Sequence, residues 1–244
     1  MSLKNKIVII TGAGRGIGRA IALKFAADGA KIALAARSVD EINEVAEEIS
    51  KSGGTAIAIP TDVSDERQVM AMVSRTESEL GPVDILINNA AIFLLKQIAD
   101  TSIDEWNQVM NIDLTGAFLC ARTVLASMME RRTGRIINIG SLAGRRGYPE
   151  QGAYCAAKHG LVGLSKVLAI EGQPYGIRVN MVSPGGVITD LTSGLRASRG
   201  ASDNASDWMT AEEVAKGVYY IATQDGPAAT DELVLRRFTS DPWR

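Results

Sequence analysis

The chain has 244 residues, 46% of them hydrophobic, with 26 basic residues against 28 acidic ones for a formal charge of −2. That length supports one sizeable core, and α/β folds of this size are commonly one unit, so residues 1–244 are expected to form a single domain. A near-neutral chain carries no overall basic footprint, which argues against nucleic acid as a partner and for a small molecule. Cys120 and Cys155 are too few for a disulfide framework and too far apart to read as a zinc site. No metal is expected, and a cytoplasmic setting fits. The N-terminus, MSLKNKIVIITGAG, offers only a four-residue apolar run before Thr11, so a soluble, unprocessed protein without a membrane span is expected.

Short β-branched runs at 7–10, 31–36, 55–59, 83–87, 135–139, 177–182 and 231–238 alternate with longer amphipathic segments. Directly after the first run comes TGAGRGIG, residues 11–18, opening into the helical stretch RAIALKFAADG. A strand that runs into glycines and then a helix start lets backbone N–H groups and the helix dipole hold a pyrophosphate. The spacing is GxxxGxG, on Gly12, Gly16 and Gly18; Ile17 and Arg19 stand where a strict GxGxxG would place its third glycine. Gly12, Arg15, Gly16, Ile17 and Gly18 are the candidate cofactor contacts of this loop, and a plain tight turn is the structural alternative. The second run ends ALAARS, with Arg37 where an NAD-preferring fold carries an acid for the ribose 2′-hydroxyl. Arg37 and Arg15 therefore predict NADP(H) as the cofactor, because a guanidinium pairs with a 2′-phosphate and no carboxylate at that strand end repels it.

The next segment, SVDEINEVAEEISKSGG, places Ile42, Val45, Ala46 and Ile49 at helical spacing and closes on Gly53 and Gly54. Strands alternating with such helices predict an α/β, doubly wound, Rossmann-type fold: a seven-stranded, mainly parallel sheet with helices on both faces. One interruption, TSGLRASRGASDNASDW at 192–208, is polar and rich in small residues and is expected to be a long substrate-side loop.

The stretch YCAAKHG, 154–160, sets Tyr154 four residues before Lys158 and beside the chain's single histidine, His159. Positions i and i+4 share a helix face, so Tyr154 and Lys158 point the same way while His159 turns roughly 100° aside. A phenol of pKa about 10 is a poor base at neutral pH, and a nearby ammonium lowers that value by stabilising the phenolate. Tyr154 is thus the candidate proton-transfer group, and His159 is read as a packing or surface residue.

With TGAGRGIG (11–18), Asp62–Val63, NNAA (88–91), Gly140–Ser141, YCAAK (154–158) and PGGVIT (184–189) in this order, the chain resembles the short-chain dehydrogenase/reductases from about residue 4 to 190. Within that family it is most similar to the 3-oxoacyl-carrier-protein reductases and related carbonyl reductases. The resemblance implies hydride transfer between NADP(H) and a carbonyl or secondary alcohol. By the same resemblance Tyr154 is expected to exchange the proton, Ser141 to bond the substrate oxygen, and Lys158 also to meet the nicotinamide ribose. It further implies adenine contacts at Asp62 and Val63, strand-end contacts at Asn89 and Ala90, a turn under the nicotinamide at Pro184 and Gly185, and a carboxamide contact at Thr189. A homo-oligomer, dimer or tetramer, is implied as well, and an acyl thioester is one candidate substrate.

Two departures stand out. The family's catalytic asparagine is replaced by Asp113 in MNIDLTGAF, and Asn111, two residues earlier and about 200° away on an α-helix, does not take its place. By the resemblance, Asp113 can keep the backbone carbonyl that serves the family's water chain, and a modest loss or retuning of the proton relay is expected. The C-terminal DELVLRRFTSDPWR also lacks the usual DGG turn. Arg131, Arg132, Arg145 and Arg146 are candidate contacts for an acidic carrier protein, with solvated surface as the plainer reading, and Ile170 and Tyr175 stand where carrier-protein reductases often have basic residues. Two alternatives to a carbonyl reductase remain: a catalytically quiet cofactor-binding regulator or scaffold, and a sugar-nucleotide enzyme, for which some 60 residues beyond Pro184 leave little room.

Overall fold

The structure is a computed structural model in which residues 2–198 and 208–240 are described. Seven strands, β1 (Ile7–Thr11), β2 (Lys31–Ala36), β3 (Thr55–Pro60), β4 (Ile85–Asn88), β5 (Gly134–Ile139), β6 (Ile177–Pro184) and β7 (Glu232–Leu235), form one sheet in the order β3-β2-β1-β4-β5-β6-β7. Every pairing among them is parallel. The expected doubly wound fold is present, and the sheet is wholly rather than mainly parallel. β4 begins two residues later than the apolar run because Val83, although buried, precedes the ladder. β7 is half the expected length.

Alternate residues of each strand feed opposite cores, as a two-sided parallel sheet requires. Val8, Ile10, Leu34 and Ile87 pack against Ile21 and Phe25 of α1 (Gly16–Ala27), Ile42 and Val45 of α2 (Val39–Lys51), and Val218 of α8 (Ala211–Thr223). Ile9, Leu86 and Ile136 pack on the other face against Met72 of α3 (Glu66–Glu79), Val124 of α5 (Gly116–Arg131) and Leu168 of α6 (Gly152–Gly172). The chain winds outward in both directions from the β1–β4 pair, so the strand ends at Thr11 and Asn88 flank a crevice, the place where such sheets bind ligands.

The long central helix is interrupted. α4 (Ile103–Met110), started by a Ser102–Glu105 capping box, passes into a π-helical turn at Asn111–Thr115 and then into α5. The 200° offset reckoned for a regular α-helix therefore does not apply there, although Asn111 is exposed and Asp113 buried, so the two still face apart. The apolar composition of this helix is explained by its packing on α3, α6 and the sheet.

The 192–208 stretch is not loop at its start. A 3₁₀ turn at Asp190–Thr192 leads into α7 (Ser193–Ser198), residues 199–207 of the expected loop lie outside the described residues, and Trp208 is buried against Gly186.

A chain of buried side chains ties the strands to α6. Asn88 Nδ2 donates to Asn138 Oδ1 at 2.9 Å, Asn138 Nδ2 donates to Ser165 Oγ at 2.7 Å, and Ser165 Oγ donates to the Leu161 carbonyl at 2.7 Å. Because β4, β5 and α6 are joined at once, Asn138→Ala removes two buried hydrogen bonds and is expected to cost about 1–3 kcal/mol of folding stability. Urea denaturation checks this, and a loss below about 0.5 kcal/mol, the level of a neutral surface change, contradicts it.

Candidate active site

The crevice is a cleft of about 300 Å³. Of the residues singled out in the sequence, Gly12, Arg15, Gly16, Ile17, Arg37, Asp62, Val63, Asn89, Ala90 and Thr189 line it. Gly14, Ser38, Glu41, Thr61, Ile92 and Asp190 line it too. Gly14 and Ser38 come with the glycine loop and the β2 end already singled out, whereas Glu41, Thr61, Ile92 and Asp190 arrive through tertiary packing.

The glycine loop is built by close approach. Gly12 has φ +63°, a left-handed conformation that a side chain would strain, and a Cβ there would lie 2.9 Å from the Ala90 Cα. A Cβ on Gly18 would lie 2.2 Å from the Gly12 carbonyl oxygen and 2.6 Å from Asn89 Nδ2. Asn89 braces this loop directly, its Nδ2 donating to the carbonyls of Thr11 at 2.9 Å and Gly12 at 3.1 Å. Thr11 returns the brace, its Oγ1 accepting from the backbone N–H groups of Asn89 and Ala90 at 3.0 Å each. Thr11 entered the sequence reading only as the first residue of the glycine motif and not as a brace, for which its place at the end of β1 was the available signal.

Beyond the loop, α1 starts at Gly16 with no side-chain cap and no acid in its first turn. Its leading N–H groups are left for an anion, and the dipole favours one. The bare cradle, the uncapped helix start and the two arginines are the donor set that a phosphorylated dinucleotide requires. Asp62 spends one oxygen on the Ser64 N–H at 2.9 Å and hydroxyl at 2.6 Å, and Thr189 packs its methyl over Gly16.

Ser141, Tyr154, Lys158, Asp113, Pro184 and Gly185 do not line the large cleft. Pro184 ends β6, and the Gly185 N–H donates to the Leu235 carbonyl at 2.8 Å. Ser141 starts a 3₁₀ turn, its Oγ accepting from the Ala143 N–H at 3.1 Å, and its hydroxyl stands close enough to Tyr154 to favour the phenolate. Tyr154 and Lys158 lie one turn apart on α6, with the ammonium 5.5 Å from the phenol ring centroid. Phe93, which the sequence did not single out, packs edge-on against Tyr154 with centroids 5.0 Å apart. His159 is exposed, its Nδ1 2.8 Å from the Cys155 carbonyl, and takes no part.

Below Tyr154 lies a buried ion pair. Lys158 Nζ sits 3.5 Å from Asp113 Oδ2 and donates to the Ile139 carbonyl at 3.2 Å. Asp113 Oδ1 accepts from the Ile92 N–H at 2.8 Å. Burial raises the Asp113 carboxyl to about 6 against the pull of Lys158 and the Ile92 N–H. Burial likewise pushes the Tyr154 phenol up; Lys158 lowers it as expected and the Ser141 hydroxyl assists, but neither outweighs desolvation. A cavity of about 10 Å³, the size of roughly one water, adjoins Asn88, Asp113 and Lys158.

The four arginines considered for a carrier protein are engaged within the fold. Arg131 donates to the Val83 carbonyl, Arg132 to the Pro174 carbonyl, Arg145 to Glu232 and Arg146 to the Tyr148 hydroxyl.

Residues 6–200 match the profile of the family described as short chain dehydrogenase. The 3-oxoacyl-[acyl-carrier-protein] reductase FabG of Salmonella typhimurium is 38% identical over 241 residues, covering 96% of both chains. Among solved structures, a short-chain type dehydrogenase/reductase from Mycobacterium marinum superposes with TM-score 0.91 at 32% identity, covering 99% of this chain and 98% of that one. A metagenomic short-chain oxidoreductase in complex with NADP gives TM-score 0.84 at 31% identity, covering 97% and 99%.

The Asp113 carboxyl generates a pH test. Its folded value of about 6 lies above the ordinary 3.8, so between these values the folded state keeps a proton that the unfolded chain loses, and stability falls as pH rises through that window. Asp113→Asn removes this titration. From pH 4 to pH 7 the variant is expected to gain about 1–3 kcal/mol relative to the parent, read by denaturant melts across pH. A gap independent of pH contradicts the buried carboxyl described here.

Proposed function

Because the chain belongs to the short-chain dehydrogenase/reductase family, we propose that it is an NADP(H)-dependent carbonyl reductase, or the alcohol dehydrogenase in reverse, with Tyr154 exchanging the proton. The observation that carries this reading is the buried Tyr154–Lys158–Asp113 stack with Ser141 beside the phenol, next to a loop fit for a dinucleotide pyrophosphate. A bound nicotinamide nucleotide supplies or takes up the hydride. The protein's part is to hold the substrate oxygen and manage its proton. Burial keeps the phenol protonated, the state needed to hand a proton to an oxygen that gains charge during reduction. Ser141, beside Tyr154, presents its hydroxyl to the same oxygen. Lys158 stabilises the phenolate left behind, and Asp113 with the Ile139 carbonyl fixes the ammonium in place. Asp113 Oδ2 and Asn88 Oδ1 carry no protein hydrogen bond among the described residues and face the one-water cavity, which supports a relay returning the proton through Lys158.

Arg37 and Arg15 support the phosphorylated cofactor, as does the NADP-bound relative. The carrier-protein reductases among the relatives make acyl thioesters the first substrates to try, with other ketones next. Residues 1–244 act as one unit in this reading. Assembly into a homo-oligomer is supported by exposed Ile103 and Phe118 on the central helix and Val167 and Ile170 on α6.

Purified protein is expected to oxidise NADPH in the presence of a ketone panel that includes acetoacetyl thioesters, and to use NADH less efficiently. Tyr154→Phe is expected to lower kcat/KM by about 10²–10⁴-fold while NADPH still binds. Undiminished turnover in Tyr154→Phe contradicts the proton role, and equal efficiency with NADH contradicts the cofactor assignment.

A further inference from the structure

The cleft that receives the adenosine end is electrostatically divided. Arg37, just past β2, forms no ion pair among the described residues. Arg15 is already paired twice: its Nη1 lies 3.4 Å from Glu41 Oε1 and its Nε 3.8 Å from Asp190 Oδ2. Glu41 stands in the first turn of α2, four residues beyond Arg37, and lines the same cleft. Its position depends on a missing side chain. A Cβ on Gly14 would lie 2.7 Å from Glu41 Cβ and 2.8 Å from its Oε2, so the glutamate lies flat on the glycine loop only because residue 14 is glycine.

We propose that Glu41 is a specificity-determining residue that weakens this protein's preference for the 2′-phosphorylated dinucleotide over the unphosphorylated one, an inference that rests on the NADP(H) reading above. A 2′-phosphate seated between Arg37 and Arg15 must draw the Arg15 guanidinium away from Glu41, and it then stands beside a like charge. A 2′-hydroxyl does neither. Two arginines thus deliver less discrimination than their number suggests, and the carboxylate on α2 sets how much is lost. Both side chains are partly in water, at 64% and 35% exposure, so the effect is modest and sensitive to salt.

The test is the dissociation constant of NADPH and of NADH, each followed by the fluorescence of the reduced nicotinamide, for the parent, E41Q, E41A, R15Q and the E41Q/R15Q double variant. Both Glu41 variants are expected to bind NADPH about threefold to tenfold more tightly, the span set by one exposed ion pair and one like-charge neighbour, with NADH changed by less than about twofold. The gain should fall in the R15Q background, where only the like-charge contribution of Glu41 is left, and shrink at high salt. An NADPH/NADH ratio that E41Q and E41A leave unchanged, or the same gain in the R15Q background, overturns the proposal. A parent that binds NADH more tightly than NADPH would instead contradict the NADP(H) reading and leave the Glu41 shift measurable on its own.

Discussion

Lys158 places an ammonium, 2% exposed, inside the fold, and the proton-handling end of the site is organised around keeping it there. Removing such a charge from water costs several kcal/mol unless partners restore what hydration supplied. Those partners come from two sides. Asp113 arrives from the central helix, held by the Ile92 N–H, and the Ile139 carbonyl arrives from the end of β5. The π-helical turn at 111–115 sits where the carboxylate turns inward, and π turns recur at functional sites. The Asn88–Asn138–Ser165 chain holds β4, β5 and α6 in the relation that brings the three groups together. Tyr154, one turn before Lys158 on α6, takes its electrostatic setting from this arrangement.

The two ends of the site follow opposite physical regimes. At the Tyr154–Lys158–Asp113 end water is excluded, so interactions are strong, titrations are displaced and a single substitution acts through desolvation. At the Arg15–Arg37–Glu41 end the side chains reach into solvent, where charge pairs are weak and salt screens them. Changes at the first end should therefore be read by pH, and changes at the second by ionic strength.

Much of this was legible before any coordinates. Short β-branched runs located seven strands, and 3.6-residue spacing marked a helix between them, because a buried parallel sheet demands such runs. Gly12 and Gly18 announced a close approach, and the Tyr154–Lys158 spacing announced a shared face, since both are consequences of local geometry. What stayed hidden depends on contacts distant in sequence. Glu41 reads as an ordinary solvated acid of a helix start, and only folding lays it on Gly14. Phe93 and Thr11 lack any periodic mark for their contacts with Tyr154 and Asn89. The π turn was invisible because one residue added to a helix leaves the apolar pattern nearly intact, and α7 was concealed by a segment of small polar residues that reads as loop. The phenol's direction of shift was also not to be had from spacing, since the opposing effects of Lys158 and burial are ranked only once burial is known.

The central claim is that this site transfers hydride to a carbonyl while its own residues deliver the proton. The most direct measurement follows deuterium from NADPH carrying the label at C4 of its nicotinamide into the product of a reduced ketone, analysed by mass spectrometry and NMR. Deuterium on the carbinol carbon, with the hydroxyl proton drawn from solvent, is the expected result. Tight NADPH binding with no deuterium transferred to any member of a broad ketone panel, acyl thioesters included, would contradict it.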